Sequence, residues 1–395
     1  MCKIYLDEAS STKPKQEVVD VIIEYLVSKW YNPSSLYGDA VKVKEDLHKA
    51  KKIVADFIGA NAEEIYFTSS GSESNCWALQ GFVSYTRNHT NNRPVIITSD
   101  IEHHSIMACT EELSNRYDIL VYHVGVDENG FIKLDELEEL LEKCNQDWAN
   151  ILVSVMQANN EIGTIQNIKA VSDMVHKYNG VVHCDCTQSF GHIPIDVDFI
   201  GVDMLTASGH KINAPKGIGF LYKRNGVDIN PIIFGSQMNN MRGGTENVPY
   251  IMGFAKAVEL SKNTVQNRKR IELVRNYFID KLVSIGCKLN CPKPSDTDKI
   301  YDNRLPNNIN VVLPDGVGGE EVLYMLDTAG ISVSTGSACN SMFKEPSYVL
   351  KAIGLTDEEC MRSIRITFSE YISNEDIDKV VKEVDNCIRL LKETD

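Results

Sequence analysis

Three short segments of this 395-residue chain combine residue types and spacing that can do chemistry. The first is ASGHKINAPKGIGF, residues 207–220, with Lys211 after a strand-like run. A lysine amine held near a carbonyl forms a Schiff base. The second is HCDCTQ, where Asp185 closes an apolar run 26 residues before that lysine and Gln188 follows three residues on. A carboxylate there can keep a ring nitrogen protonated, and the amide can bond to the same ring. The third is TSSGSESN, residues 68–75, a strand-like run entering a Gly/Ser turn and then a helix-like stretch. Free backbone N–H groups and the Ser72 hydroxyl would converge there on a phosphate, and Gly71 lets the backbone come close. Each segment alone has an ordinary explanation: a surface lysine, a helix cap after a strand, a Ser-capped helix with Glu73 in its first turn. Those ordinary explanations suit one segment at a time and fit the set of three poorly.

The elements that would position these groups follow from hydrophobic spacing. Short apolar runs at 64–68, 94–98, 118–124, 150–156, 180–185, 203–208 and 217–224 read as seven strands. Amphipathic stretches such as 134–144 and 168–178 read as helices between them. Alternation of this kind predicts an α/β fold with a mostly parallel, doubly wound sheet sandwiched by helices, with ligands at the carboxyl ends of its strands. After GGTENVP the pattern becomes mainly helical from about Val248 to Ile285. Strand-like runs at 308–314 and 363–368, with helices near 319–327 and 374–392, then form a smaller α+β part. The expected division is a large domain over 15–257 and a small one over 1–14 plus 258–395. The tract 290–306 reads as a loop.

Composition narrows the class. A formal charge of −15 opposes nonspecific binding to nucleic acid or an anionic membrane, which need a positive field. No apolar run reaches the roughly 20 residues that span a bilayer, and MCKIYLDEASS does not read as a secretory leader. The eleven cysteines therefore read as reduced thiols of a cytoplasmic protein. Cys184 and Cys186 sit too regularly in VVHCDC to suggest metal; a buried strand is the better reading, and no metal site is expected.

In order along the whole chain, IYLDEASST, NPSSLYG, TSSGSESN, EHHS, NNEIGTIQ, HCDCTQ, SGHK, MRGGTENVP, STGSACNSMFKEPSYVL and SIRITF resemble the NifS/IscS cysteine desulfurases. These are class V members of the fold-type I pyridoxal-phosphate enzymes. The resemblance implies pyridoxal 5'-phosphate carried on Lys211, with Asp185 on the pyridine nitrogen and Gln188 on the ring hydroxyl. His103 would stack on the ring and act in proton transfer. Gly71, Ser72, Ser208 and His210 would surround the phosphate, and Thr245 would reach the phosphate of a neighbouring subunit, which implies a homodimer. Asn160 and Arg365 would grip the α-carboxylate of an L-cysteine substrate, a role that suits the planar guanidinium fork. Cys339 would be the nucleophile that takes the sulfur as a persulfide and passes it to an acceptor protein, in iron–sulfur cluster assembly, tRNA thiolation or another sulfur-modification pathway.

Three positions depart from that pattern. Tyr37 stands where histidine is usual, Met238-Asn239 where Glu-Arg is usual, and Phe368-Ser369 where Leu-Gly is usual. Rival readings are a selenocysteine lyase or another class V aminotransferase, an idle scaffold of the same fold, and a metal-binding protein. An aminotransferase has no use for Cys339, and a scaffold has no reason to keep Lys211, Asp185 and Cys339 together.

Overall fold

The structure is a computed structural model that describes residues 3–117, 119–146, 149–292, 303–335 and 345–394. The first strand, β1 (Ile4–Tyr5), belongs to the smaller part of the molecule. The next seven build one sheet: β2 (Ile65–Thr68), β3 (Pro94–Ser99), β4 (Leu120–Val124), β5 (Asn150–Ser154), β6 (Val181–Asp185), β7 (Met204–Ser208) and β8 (Gly219–Lys223). Their order is β2-β8-β7-β6-β5-β3-β4, and only β8 runs antiparallel to its neighbours. All seven strands expected from the apolar runs are present.

Side chains alternate across this sheet, as a period of two requires. Val95, Ile97, Ile151, Val153, Val182, Leu205 and Phe220 face one core. Ile96, Leu152, Met204 and Leu221 face the other. Helices Gly38–Ile58, Leu134–Gln146, Ile168–Lys177 and Val248–Gln266 cover the first face. Helices Gly71–His89 and His104–Tyr117 cover the second through Trp77, Phe82, Ile106 and Leu113. A sheet covered on both faces explains the near-continuous Val/Ile runs of its central strands. Cys184 and Cys186 are buried in this core, and among the described residues no cluster of three or more His, Cys, Asp and Glu could hold a metal.

The smaller part has its own core. Strands β9 (Lys288–Leu289), β10 (Asn308–Val312), β12 (Ser334–Thr335) and β13 (Ser363–Thr367) form an antiparallel sheet ordered β12-β13-β10-β9. Strand β11 (Ile331–Ser332) pairs in parallel with β1. Helices Arg268–Ser284, Gly319–Thr328 and Asn374–Thr394 close the core with Phe278, Leu326 and Val384. Among the described residues, no helix is long and apolar enough to cross a membrane.

The departures from the family pattern have distinct structural fates. Met238, Asn239 and Asn240 form a left-handed turn, with φ of 47°, 57° and 63°. Asparagine tolerates this region, but a residue such as methionine pays roughly 1–2 kcal/mol for it. Phe368 is buried in the smaller core, and Tyr37 is half-exposed with its ring edge-on to Tyr31.

Candidate active site

The carboxyl ends of the parallel strands and the N-terminus of helix Gly71–His89 meet at one cavity of about 320 Å³. Asp185, the last residue of β6, is 4% exposed. Its Oδ1 accepts from the Thr187 N–H at 2.9 Å, and its Oδ2 accepts from Asn75 Nδ2 at 2.7 Å. Ser208 ends β7 and leads into a single 3-10 turn, Gly209–Lys211. Ser70 caps helix Gly71–His89 by accepting from the Glu73 N–H at 3.1 Å. Gly71 keeps this corner tight: a Cβ there would lie 3.0 Å from Thr187 Oγ1 and 3.4 Å from Ser208 Cβ, so Thr187 would have to give way by a few tenths of an ångström. Burial pushes the Glu73 carboxyl up, but its bonds to Arg242 and Ser69 outweigh that and hold it below the ordinary range.

Lys211 and Gln188 both reach across to the N-terminal segment. Lys211 Nζ donates to the carbonyls of Ala9 and Ser10, at 2.5 and 2.9 Å. Gln188 Nε2 donates to the same Ala9 carbonyl at 3.0 Å. Arg365 enters from β13 and is 4% exposed. One guanidinium nitrogen donates to the Asn160 carbonyl at 3.1 Å, the other to Asp7 Oδ1 and Ser10 Oγ, both at 2.8 Å. Its Nε is buried with no hydrogen-bond partner among the described residues. Asn160 thus meets Arg365 through its backbone, while it also lines the cavity.

Two histidines complete the wall. Burial lowers the pKa of His103; the Asp185 carboxylate opposes this, and Lys211 and His104 add to it. His210 is pushed down to about 4 by burial and by the positive charges of Lys211 and Lys216. Its Nδ1 is buried and has no partner among the described residues. Behind them, Glu102 is fully buried; Ser99 Oγ and the Met156 N–H both donate to its Oε1. Burial raises that carboxyl to about 8. Glu161 is raised to about 7, again by burial, although it accepts from Ser347 Oγ at 2.6 Å and faces the Arg365 charge.

Of the expected site residues, Gly71, Ser72, His103, Asn160, Asp185, Gln188, Ser208, His210, Lys211 and Arg365 all line this cavity. Thr245 does not: it is exposed on the loop after the left-handed turn. Cys339 lies outside the described residues. Sequence reasoning passed over Asn75 and Ser105, although both stood inside the quoted segments TSSGSESN and EHHS. It also passed over Asp7 and the carbonyls of Ala9 and Ser10. A larger cavity of about 860 Å³ lies beyond Ser11 and Thr12 and holds none of the expected residues.

The profile of the family "Aminotransferase class-V" matches residues 4–380. The chain belongs to this family. Within it, the chain is 39% identical over 395 residues to "Cysteine desulfurase IscS" of Dictyoglomus turgidum, covering 99% of this chain and 95% of that one. Among solved structures it is similar to a "NifS-like protein", with a TM-score of 0.88, 32% identity and coverage of 98% and 100%. It is also similar to "SspA in complex with cysteine", with a TM-score of 0.78, 30% identity and coverage of 94% and 100%. This class V chain is thereby an enzyme of the cysteine desulfurase group, with the α/β fold of its NifS-like neighbours.

Proposed function

We propose that the cavity holds pyridoxal 5'-phosphate and that the chain converts L-cysteine to L-alanine, keeping the sulfur as a persulfide on Cys339. The observation that carries this reading is the convergence, in one cavity, of a lysine amine, a buried aspartate and a glycine-floored helix N-terminus. The cofactor's fit is tested by His210, whose buried Nδ1, beside Ser208 and Gly71, lacks a partner among the described residues. An acceptor-rich phosphate suits that corner, where the helix N-terminus and Ser72 offer further donors. Asp185 would hold the pyridine nitrogen, Gln188 the ring oxygen, and His103 would stack on the ring. The large domain, 15–257, would carry these groups, and the small one, 1–14 plus 258–395, would carry Arg365 and Cys339.

Bound there, the cofactor would supply an electron sink for charge developing at the substrate α-carbon. The protein's own groups do the rest. Arg365 turns its planar fork, with Asn160, to the substrate carboxylate. Lys211 Nζ removes the α-proton. The Cys339 thiolate attacks the substrate Sγ: an S–S bond forms, the Cβ–S bond breaks, and its electron pair stays on carbon. That carbon takes up a proton, Lys211 returns one to the α-carbon so that alanine leaves, and the persulfide sulfur passes to an acceptor protein. Exposed Trp30, Leu36, Tyr37 and Phe234 support a homodimer in which a second copy covers them and brings in Thr245. The nine described cysteines are all free thiols, which supports a cytoplasmic location.

The test is production of alanine and sulfide from L-cysteine by the purified, cofactor-loaded protein beside Cys339→Ala. The expected result is that the wild type makes both products, while the variant keeps the cofactor but loses sulfide release. Undiminished sulfide release from the variant would overturn the role of Cys339. A yellow wild type that ignores cysteine even with a thiol reductant would overturn the substrate.

A further inference from the structure

The hydrogen bonds around His103 fix more than its position. The Ser105 backbone N–H donates to His103 Nδ1 at 3.1 Å, and a backbone N–H can only donate. Nδ1 must therefore keep its lone pair. The Ser105 hydroxyl lies 2.8 Å from the same nitrogen and itself receives the Asn75 amide at 2.9 Å. The orientation of that amide is forced, since the same Nδ2 also faces a carboxylate oxygen, Asp185 Oδ2, at 2.7 Å, and an ionised carboxylate only accepts. Because Nδ1 offers only a lone pair, the Ser105 hydroxyl donates its proton to it while its oxygen accepts from Asn75. Two donors then converge on one imidazole nitrogen.

We infer that Asn75 and Ser105 are positioning residues that hold His103 as the neutral tautomer with its proton on Nε2. A proton arriving at Nδ1 would face the Ser105 N–H head-on, so this imidazole has no free basic nitrogen. It offers a flat neutral face and one N–H. The inference deepens the cofactor-site reading and rests on it for its consequence. A neutral ring can lie against a protonated pyridine without cation–cation repulsion, and abstraction of the α-proton is left to Lys211. The same Asn75 nitrogen ties the lock to Asp185, so the two groups that would meet the pyridine ring are held in one register.

The charges that face His103 are Asp185 at the end of β6, Lys211 and His210 in the turn after β7, and His104 at the start of the helix that follows it. Against this fixed background the lock can be read by nitrogen NMR on cofactor-loaded protein labelled with [15N]histidine, with His103→Gln to assign the signal. The expected spectrum at neutral pH has a protonated, pyrrole-type Nε2 and an unprotonated, pyridine-type Nδ1. Ser105→Ala removes the hydroxyl donor but keeps the backbone N–H. It removes support for the neutral ring, so the midpoint of His103 titration should rise by roughly half to one pH unit. Ser105→Thr should restore it. A proton on Nδ1, a charged ring at pH 7, or an unmoved midpoint in Ser105→Ala would each overturn the inference. These signals do not depend on turnover: a protein inactive on cysteine can still show the lock, and an active desulfurase can lack it.

Discussion

The fully buried Glu102, directly before His103, gives a prediction whose size follows from its surroundings. Burial raises its pKa from 4.5 to about 8, so the folded protein holds this carboxyl protonated at neutral pH while the unfolded chain has it ionised. A raised carboxyl contributes stability that is complete below pH 4.5 and is lost as the pH climbs through 8. Each unit in that window costs about 1.4 kcal/mol. At pH 7 the accumulated loss is about 3 kcal/mol. Glu102→Gln cannot ionise and escapes this loss, and its amide oxygen can still accept from Ser99 and Met156. The amide places N–H groups at the Oε2 position, which is buried without a partner among the described residues. The variant should therefore begin about 1 kcal/mol below the wild type at acid pH. It should overtake the wild type as the pH rises, with the gap growing by about 1.4 kcal/mol per unit up to pH 8. Urea unfolding of both proteins at pH 5, 6, 7 and 8 measures this. A gap that stays flat across that series would refute the argument that Glu102 is a neutral carboxylic acid in the fold.

Two further substitutions probe the cavity. Gly71→Ala places a methyl 3.0 Å from Thr187 Oγ1; we expect affinity for pyridoxal 5'-phosphate to fall about tenfold, or about 1.4 kcal/mol, in an absorbance titration. Arg365→Lys keeps the charge but loses the planar fork; KM for L-cysteine should rise about 10- to 100-fold with a smaller change in kcat, and an unchanged KM would remove Arg365 from substrate binding.

The fold was legible wherever local pattern decides it. Runs such as PVIITS and NILVS could be little else than buried strands, and the spacing of Leu137, Leu141 and Cys144 predicted one buried helical stripe. Strand order, and the reversed direction of β8, were not legible, because GFLYK presents the same alternating faces whichever way it runs. At the site, ten of the residues whose types advertise chemistry line one cavity, while Thr245 does not and Cys339 lies outside the described residues. What escaped were groups whose importance lies in contacts distant in sequence. Asn75 looks like one more polar residue of a helix start until Asp185 is brought against it, 110 residues away. The carbonyls of Ala9 and Ser10 have no signature at all, since every residue carries one. Thr245 could not join the cavity from sequence proximity or from a single chain, because it is exposed on a different loop.

The N-terminal segment bears on how this enzyme comes into being. Leu6 is packed in the smaller core, Ala9 and Ser10 receive Lys211 from 202 and 201 residues away, and Asp7 receives Arg365 from 358 residues away. Contacts of such separation are late events in folding, since loop closure must precede them. A chain growing at about 5–20 residues per second therefore completes its large sheet well before the last wall of the cavity has been synthesised. The strap that receives Lys211 is made first, but the smaller core that anchors it through Leu6 is completed only by residues beyond the large sheet.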